Sequence, residues 1–364
     1  MKPYFPPGDK RACMARIGHM SQLAGVRRSF ICEGRARDVE ALDFDNGTGL
    51  RFTVLPGRCM DISAANYKCV PLCFVAKPGL AQGAEYEPQG MGWLHGFFAG
   101  LLTTCGLSNV GDPCDDVDPE LGIVHHGLHG RISKTGADNV GYASAWNEDG
   151  RFVLNATGRM REAVLHSENL TLTRNISTEM GSNTIIIVDA VENECFSALP
   201  LTILYHINPG YPILSEHSRI ILPTAGVTPG TDAAVRSPNS YNDFHAPVRD
   251  KEQFVYVHDM RADGEGMSCA ALVNEALELG LYVRYDTRNL PVFAQWKCLG
   301  EGDYVVGLEP ANSMSVSRVK MREMGRLQMI EPGEIKKFRV EIGVLDGLDA
   351  IRAFEKTVEG IKHA

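Results

Sequence analysis

Apolar and polar residues alternate with a period of two along much of the chain, the signature of extended strands that bury one face. In 168–177 (ENLTLTRNIS), Leu170, Leu172 and Ile176 share a face, and in 334–345 (EIKKFRVEIGVL), Phe338, Val340, Ile342 and Val344 do the same. Strand-like runs recur at 28–33, 50–55, 151–160, 183–193, 199–208, 252–260, 268–274, 280–286 and 304–309, separated at short intervals by Gly, Pro, Asn and Asp. Helical periodicity is scarce: a short helix is predicted over Trp93–Thr103, and a final one is predicted to start near Asp346 and run through AIRAFEKTVEGI. Many short strands with almost no strand–helix alternation predict an all-β sandwich or barrel. No linker-like segment or internal repeat divides the chain. The expectation is one domain over 1–364, with the first ~25 residues as an extension and 346–364 as a terminal helix.

Composition narrows the function classes. With 364 residues, 44% hydrophobic and 22% charged, the chain is of ordinary globular make-up. A net charge of −9 with scattered Lys and Arg speaks against nucleic acid or an anionic membrane as partner. The start of the chain lacks the apolar stretch of a secretory signal, and its ten cysteines form no C-x-x-C pair, so a reducing, cytoplasmic location with mostly buried thiols is expected. Self-association is left open.

Three segments carry candidate chemistry. In 304–312 (YVVGLEPAN), alternation puts Glu309 on the face of Val305 and Gly307, and Pro310 is expected to loosen strand pairing just beyond it. A carboxyl at the end of so apolar a strand is desolvated, which raises its pKa toward neutrality and suits it to proton transfer. The bland alternative is a salt-bridged strand-end glutamate. In 199–214 (LPLTILYHINPGYPIL), His206 ends an apolar run and Asn208 shares its face; the alternative is a satisfied core histidine. In 122–133 (GIVHHGLHGRIS), histidines and Arg131 are interleaved with Gly127 and Gly130, which suggests backbone closely approaching a ligand. Zinc is the rival explanation, but no Cys or Glu stands at ligand spacing nearby. The acidic stretch 111–120 lacks the order of a calcium loop and reads as solvated. Trp296 is equally suited to stacking on a sugar ring or to filling the core. Nucleotide-binding glycine loops and the G-x-S-x-G elbow are missing, leaving acid–base chemistry without a cofactor.

The stretches LPGRCMDIS (55–63), GLSNVGDP (106–113), HGLHGRIS (126–133), VENECFSALPLTILYHINPGYPIL (191–214) and YVVGLEPAN (304–312) together resemble the aldose 1-epimerases, or galactose mutarotases, in a divergent branch. The resemblance implies a large antiparallel β-supersandwich of the galactose mutarotase type with few short helices and a sugar lying across one concave sheet. It implies Glu309 as the base that takes the anomeric proton, His206 as the acid that protonates the ring oxygen, and His129 as the group that polarises it. Neither a metal nor a cofactor is implied. Arg58, Asn109, His126, Arg131, Asn208, Asp243 and Trp296 are the candidates for substrate binding, with the two arginines suited to an acidic group on the sugar. Here Arg131 replaces the family's second glycine, and Asp243 is a weak stand-in for its hydroxyl-gripping aspartate. Three readings stay open: anomer interconversion of an aldose or acidic aldose; a keto-sugar isomerase, epimerase or lyase, with or without a metal; and a sugar-binding protein without turnover.

Overall fold

The computed structural model describes residues 10–237, 240–249 and 252–363; residues 1–9 of the expected N-terminal extension lie outside that range. Two large antiparallel sheets dominate. The larger runs, in spatial order, through Gly25–Phe30, Glu40–Asp45, Leu50–Leu55, Asp61–Tyr67, Leu102–Leu107, Thr202–Ile207, Asp303–Ala311, Val292–Gly300, Gln253–Met260 and Thr224–Pro229. The second has eight strands and is centred on Thr184–Asn193 and Ile335–Asp346, which pair directly. Both sheets feed one core: Ile203, Tyr205, Val306 and Leu308 from the first pack with Leu172, Leu281, Val340 and Ile342 from the second. Phe338, Val340, Ile342 and Val344 are all buried, as their alternation predicts.

Period-two geometry then decides what the outer face of the larger sheet displays. With Ile203, Tyr205 and Ile207 turned into the core, Leu204 and His206 must face the other way. The same logic turns Gly307 and Glu309 outward from the neighbouring strand and Trp296 and Cys298 from the next. Loops cover part of this face. The helix expected over Trp93–Thr103 is only a single 3-10 turn, Gly92–Gly96; the chain then extends, and Leu102–Leu107 is a fully buried strand paired with Thr202–Ile207. A short apolar run reads alike as helix or buried strand, and tertiary pairing decides it. That turn sets Trp93 and Phe97 over the sheet in a small apolar cluster with Leu128, Cys105, Leu204 and Ala311.

The outer face of the second sheet is closed by the helix Leu348–His363, whose Ile351, Val358 and Ile361 pack on Cys269, Ala271 and Val273. The helix begins two residues after Asp346, which itself ends a strand. A buried ion cluster ties the sheets together. Arg174 donates to both oxygens of Asp189 (2.9 and 2.6 Å) and to Asp61 (3.0 Å), and all three side chains are fully buried. No helix of the described residues is long and apolar enough to cross a membrane.

Candidate active site

An open cleft of about 700 Å³ lies on the outer face of the larger sheet. Glu309, His206 and His129 all line it, together with Trp93, Phe97 and Trp296. Three segments far apart in the chain therefore meet at one place. The strand carrying Glu309 does not loosen at Pro310: Pro310 still pairs with Phe293 and Ala311 with Val292, so the carboxyl is held on regular strand. Opposite Glu309 stands Ala294, and Gly307 stands opposite Trp296. A Cβ at Gly307 would sit 2.2 Å from Glu309 Oε1, so the carboxyl occupies space that only glycine leaves there.

Glu309 is 3% exposed and His206 6%. Glu309 Oε1 lies 3.2 Å from His206 Nε2, within ion-pair distance but without the geometry of a hydrogen bond, and that oxygen has no hydrogen-bond partner among the described residues. Burial alone pushes the Glu309 carboxyl up to about 8, because loss of water penalises the charged form and no cation stands close enough to offset it. Burial likewise pushes His206 down to about 4, against the hydrogen bond that its Nδ1 makes with Asn208 at 2.5 Å. Both shifts favour the neutral form of each group. Phe97 and Trp296 meet the His206 ring edge-on at 5.4 Å each, which fixes its plane.

His129 is set by its turn. Its backbone is left-handed (φ 55°), and its N–H donates to Gly111 O at 3.0 Å. The Gly111 N–H in turn donates to His129 Nδ1 at 3.3 Å. An Nδ1 that accepts leaves the ring hydrogen on Nε2, so His129 is a neutral N–H donor. Burial and the nearby His206 push it down to about 3. Gly127 and Gly130 do permit close approach, but to the protein's own backbone: a Cβ at either would sit 2.4 Å from Pro88 O or Gly106 O respectively.

Of the expected substrate-binding residues, Trp296 lines the cleft and Asn208 touches His206; the others do not line it. Arg58 is buried and donates to the carbonyls of Ser133, Ala81 and Gly96, holding the loop that carries Trp93. Asn109 is buried, with its amide on the carbonyls of Asp112 and Gly127 and its oxygen on Arg318 N. It braces the histidine turn instead of meeting a ligand. His126 is buried beside Arg318 and Asp116, where burial lowers it to about 4. Arg131 pairs with Glu168 at 3.0 Å. Asp243 accepts from Ser240 N at 2.6 Å within its own loop. The acidic stretch is not wholly solvated either: Asp116 is buried between Arg318 and Arg322, and the Arg322 hydrogen bonds hold its carboxyl down at about 2. Among the described residues no three His, Cys, Asp or Glu side chains gather as a metal would need.

The cleft also contains residues the sequence reading passed over: Gln253, Asp112, Lys320 and the ion pair Lys77–Asp303. Trp296 Nε1 donates to Gln253 Oε1 at 3.1 Å, which leaves the Gln253 amide hydrogens for a ligand. Alternation within Gln253–Met260 offers the signal for it, since Gln253 and Val255 share a face and Val255 pairs with Trp296.

Comparison with known proteins agrees with this architecture. A Klebsiella pneumoniae protein named as a candidate aldose 1-epimerase superposes with a TM-score of 0.83 at 24% identity, covering 93% of this chain and 87% of its own. A galactose mutarotase-like protein from Clostridium acetobutylicum (TM-score 0.60, 13% identity) and galactose 1-epimerase from Lactobacillus acidophilus (0.56, 12%) each align over 89% of this chain and 99% of theirs. At these identities the likeness establishes the galactose mutarotase-like fold. No curated protein matches the sequence. The family model of a domain of unknown function, DUF4432, matches residues 36–344. That span is most of the sequence, and the chain therefore belongs to the DUF4432 family.

Proposed function

We propose that the protein is a carbohydrate epimerase that interconverts the anomers of an aldose or acidic aldose by general acid–base ring opening, with no cofactor taking part in the chemistry. One observation carries this reading. A buried carboxyl oxygen without a hydrogen-bond partner stands 3.2 Å from an imidazole nitrogen, and both line an open cleft. A need for stability alone does not account for the Glu309 carboxyl so placed, because an unsatisfied buried polar atom costs ~1–3 kcal/mol. A sugar supplies what the pair lacks: one hydroxyl to give a proton and a ring oxygen to receive one.

The rest of the cleft suits the same ligand. Trp296 offers a ring for the apolar C–H face of a sugar. His129 offers an N–H for the ring oxygen or a neighbouring hydroxyl. Lys320 supplies positive charge for an acidic substituent, in place of Arg58 and Arg131, which are engaged elsewhere. Proton transfers by positioned groups are worth ~10²–10⁴-fold each, enough for a reaction that already proceeds slowly in water. The structural neighbours named for aldose and galactose 1-epimerase activity support this class of reaction.

The test is polarimetry on freshly dissolved neutral aldoses and uronic acids. Anomeric equilibration should accelerate on at least one sugar with the wild-type protein. Unaltered equilibration across the whole panel, beside tight sugar binding that Glu309→Gln leaves intact, would favour a binding protein instead.

A further inference from the structure

The side-chain amide of Asn208 has its orientation dictated by its surroundings. Its Nδ2 donates to the carbonyls of Ala99 at 3.2 Å and His206 at 2.8 Å, and an amide oxygen has no place against two other carbonyl oxygens. Asn208 Oδ1 therefore faces His206, and His206 Nδ1 carries the hydrogen that joins them. A neutral imidazole has only one N–H, so Nε2, the atom on the Glu309 side, is a bare lone pair. It is able to accept a proton and has none to give. Glu309 has the opposite character. It is buried, its Oε1 has no hydrogen-bond partner among the described residues, and the cleft's lysines stand on exposed positions further out, with Lys77 committed to Asp303. Its carboxyl is the member of the pair that holds a proton.

We propose that His206 acts as the base and Glu309 as the acid of ring opening, with Asn208 as the positioning residue that sets this order. The inference rests on the epimerase reading above, and it exchanges the roles implied by the family resemblance. In the step, His206 Nε2 takes the proton of the anomeric hydroxyl and the C1–O1 bond becomes a carbonyl. The bond from C1 to the ring oxygen breaks, and its electron pair takes the proton of the Glu309 carboxyl. Two neutral groups become an imidazolium and a carboxylate 3.2 Å apart, an arrangement in which each charge offsets the burial of the other. After rotation about C1–C2 the hydroxyl oxygen attacks the other carbonyl face. Its proton returns to Glu309, the carbonyl oxygen takes the imidazolium proton, and the neutral pair is restored.

The opposite order, a carboxylate base with an imidazolium acid, carries the same number of protons, so a pH–rate profile reads the same for both. The protonation has to be observed directly. The experiment is ¹⁵N NMR of ring-labelled histidines in the full chain at pH 7, with His206 assigned by its loss in His206→Gln. It is paired with an infrared difference spectrum between wild type and Glu309→Gln. The expected result is one protonated and one bare nitrogen on His206, the hydrogen on Nδ1, with a protonated-carboxyl band that vanishes in Glu309→Gln. Asn208→Leu should spread the hydrogen over both nitrogens and lower kcat by ~10-fold or more with KM little changed. A doubly protonated His206 beside a carboxylate band overturns the proposal, even if Asn208→Leu fails to fold. Anomer exchange is read separately. A protein that exchanges anomers through an imidazolium–carboxylate pair refutes only the assigned roles; a neutral pair with no exchange on any sugar refutes the epimerase reading, and the roles with it.

Discussion

Gly307 offers the sharpest test of whether carboxyl placement governs the rate, because Gly307→Ala alters no reacting group. The glycine sits within regular strand, so alanine meets no backbone strain there. The added methyl, however, would stand 2.2 Å from Glu309 Oε1 and 3.1 Å from Trp296 Cβ. Restoring ordinary contact requires the carboxyl to retreat by about 1 Å. A misplacement of that size costs ~10²-fold in rate where reacting groups must align. Stability should alter far less: local overpacking costs ~1–3 kcal/mol, partly offset by the ~0.5–1 kcal/mol that replacing a strand glycine regains. The assay is kcat for anomer exchange beside urea unfolding of the same preparation. A folded Gly307→Ala protein with wild-type kcat would refute the claim that Glu309 acts from the position seen here.

Three further outcomes follow from the ionisable groups. The folded pKa of Glu309, about 8, lies above the ordinary carboxyl range, so its contribution to stability is present at low pH and is lost as pH rises through 8. Relative to wild type, Glu309→Gln should gain about 1.4 kcal/mol per pH unit between roughly pH 5 and 8 in denaturant titrations; parallel stability curves would contradict the shift. Arg174→Met leaves Asp61 and Asp189 buried without their cation and should cost ~3–5 kcal/mol, and a loss below ~1 kcal/mol by urea unfolding would show that the cluster does not clamp the sheets. Arg131→Ala removes an ion pair with the partly exposed Glu168 and a charge that faces the buried Glu162, both outside the cleft, so KM for neutral and acidic sugars should stay within about twofold of wild type; a large rise confined to acidic sugars would return Arg131 to the binding site.

Strand alternation was informative wherever one face met the core and the other met solvent or the cleft. Ile335–Asp346 and Thr184–Asn193 were readable for that reason. Leu102–Leu107 was not, because every residue in it is buried and no period survives. Asp61–Tyr67 was hidden for another reason: Ser63, Ala64, Ala65 and Asn66 leave few apolar positions to set a period, and its aspartate belongs to a core ion cluster assembled from other strands. At the site, Glu309, His206 and His129 stood out as polar groups in apolar or glycine-rich settings, and the fold does bring them together. Arg58 and Asn109 looked equally conspicuous, yet each spends its hydrogen bonds on loop carbonyls, which only the folded chain places within reach. Gln253 carries no signal of its own because its role depends on Trp296 of the next strand, and it lies two strands from Glu309. The composition of a buried polar residue gives its need for partners but not whether the protein or a ligand supplies them.

In the proposed reaction, proton transfer at residue 309 is the decisive step. Exchange spectroscopy on an equilibrated mixture of anomers reads that transfer without any net reaction. Cross-peaks between α and β signals should strengthen when the wild-type protein is added and fall back to the uncatalysed level with Glu309→Gln. Exchange that persists undiminished in a folded Glu309→Gln protein would contradict it.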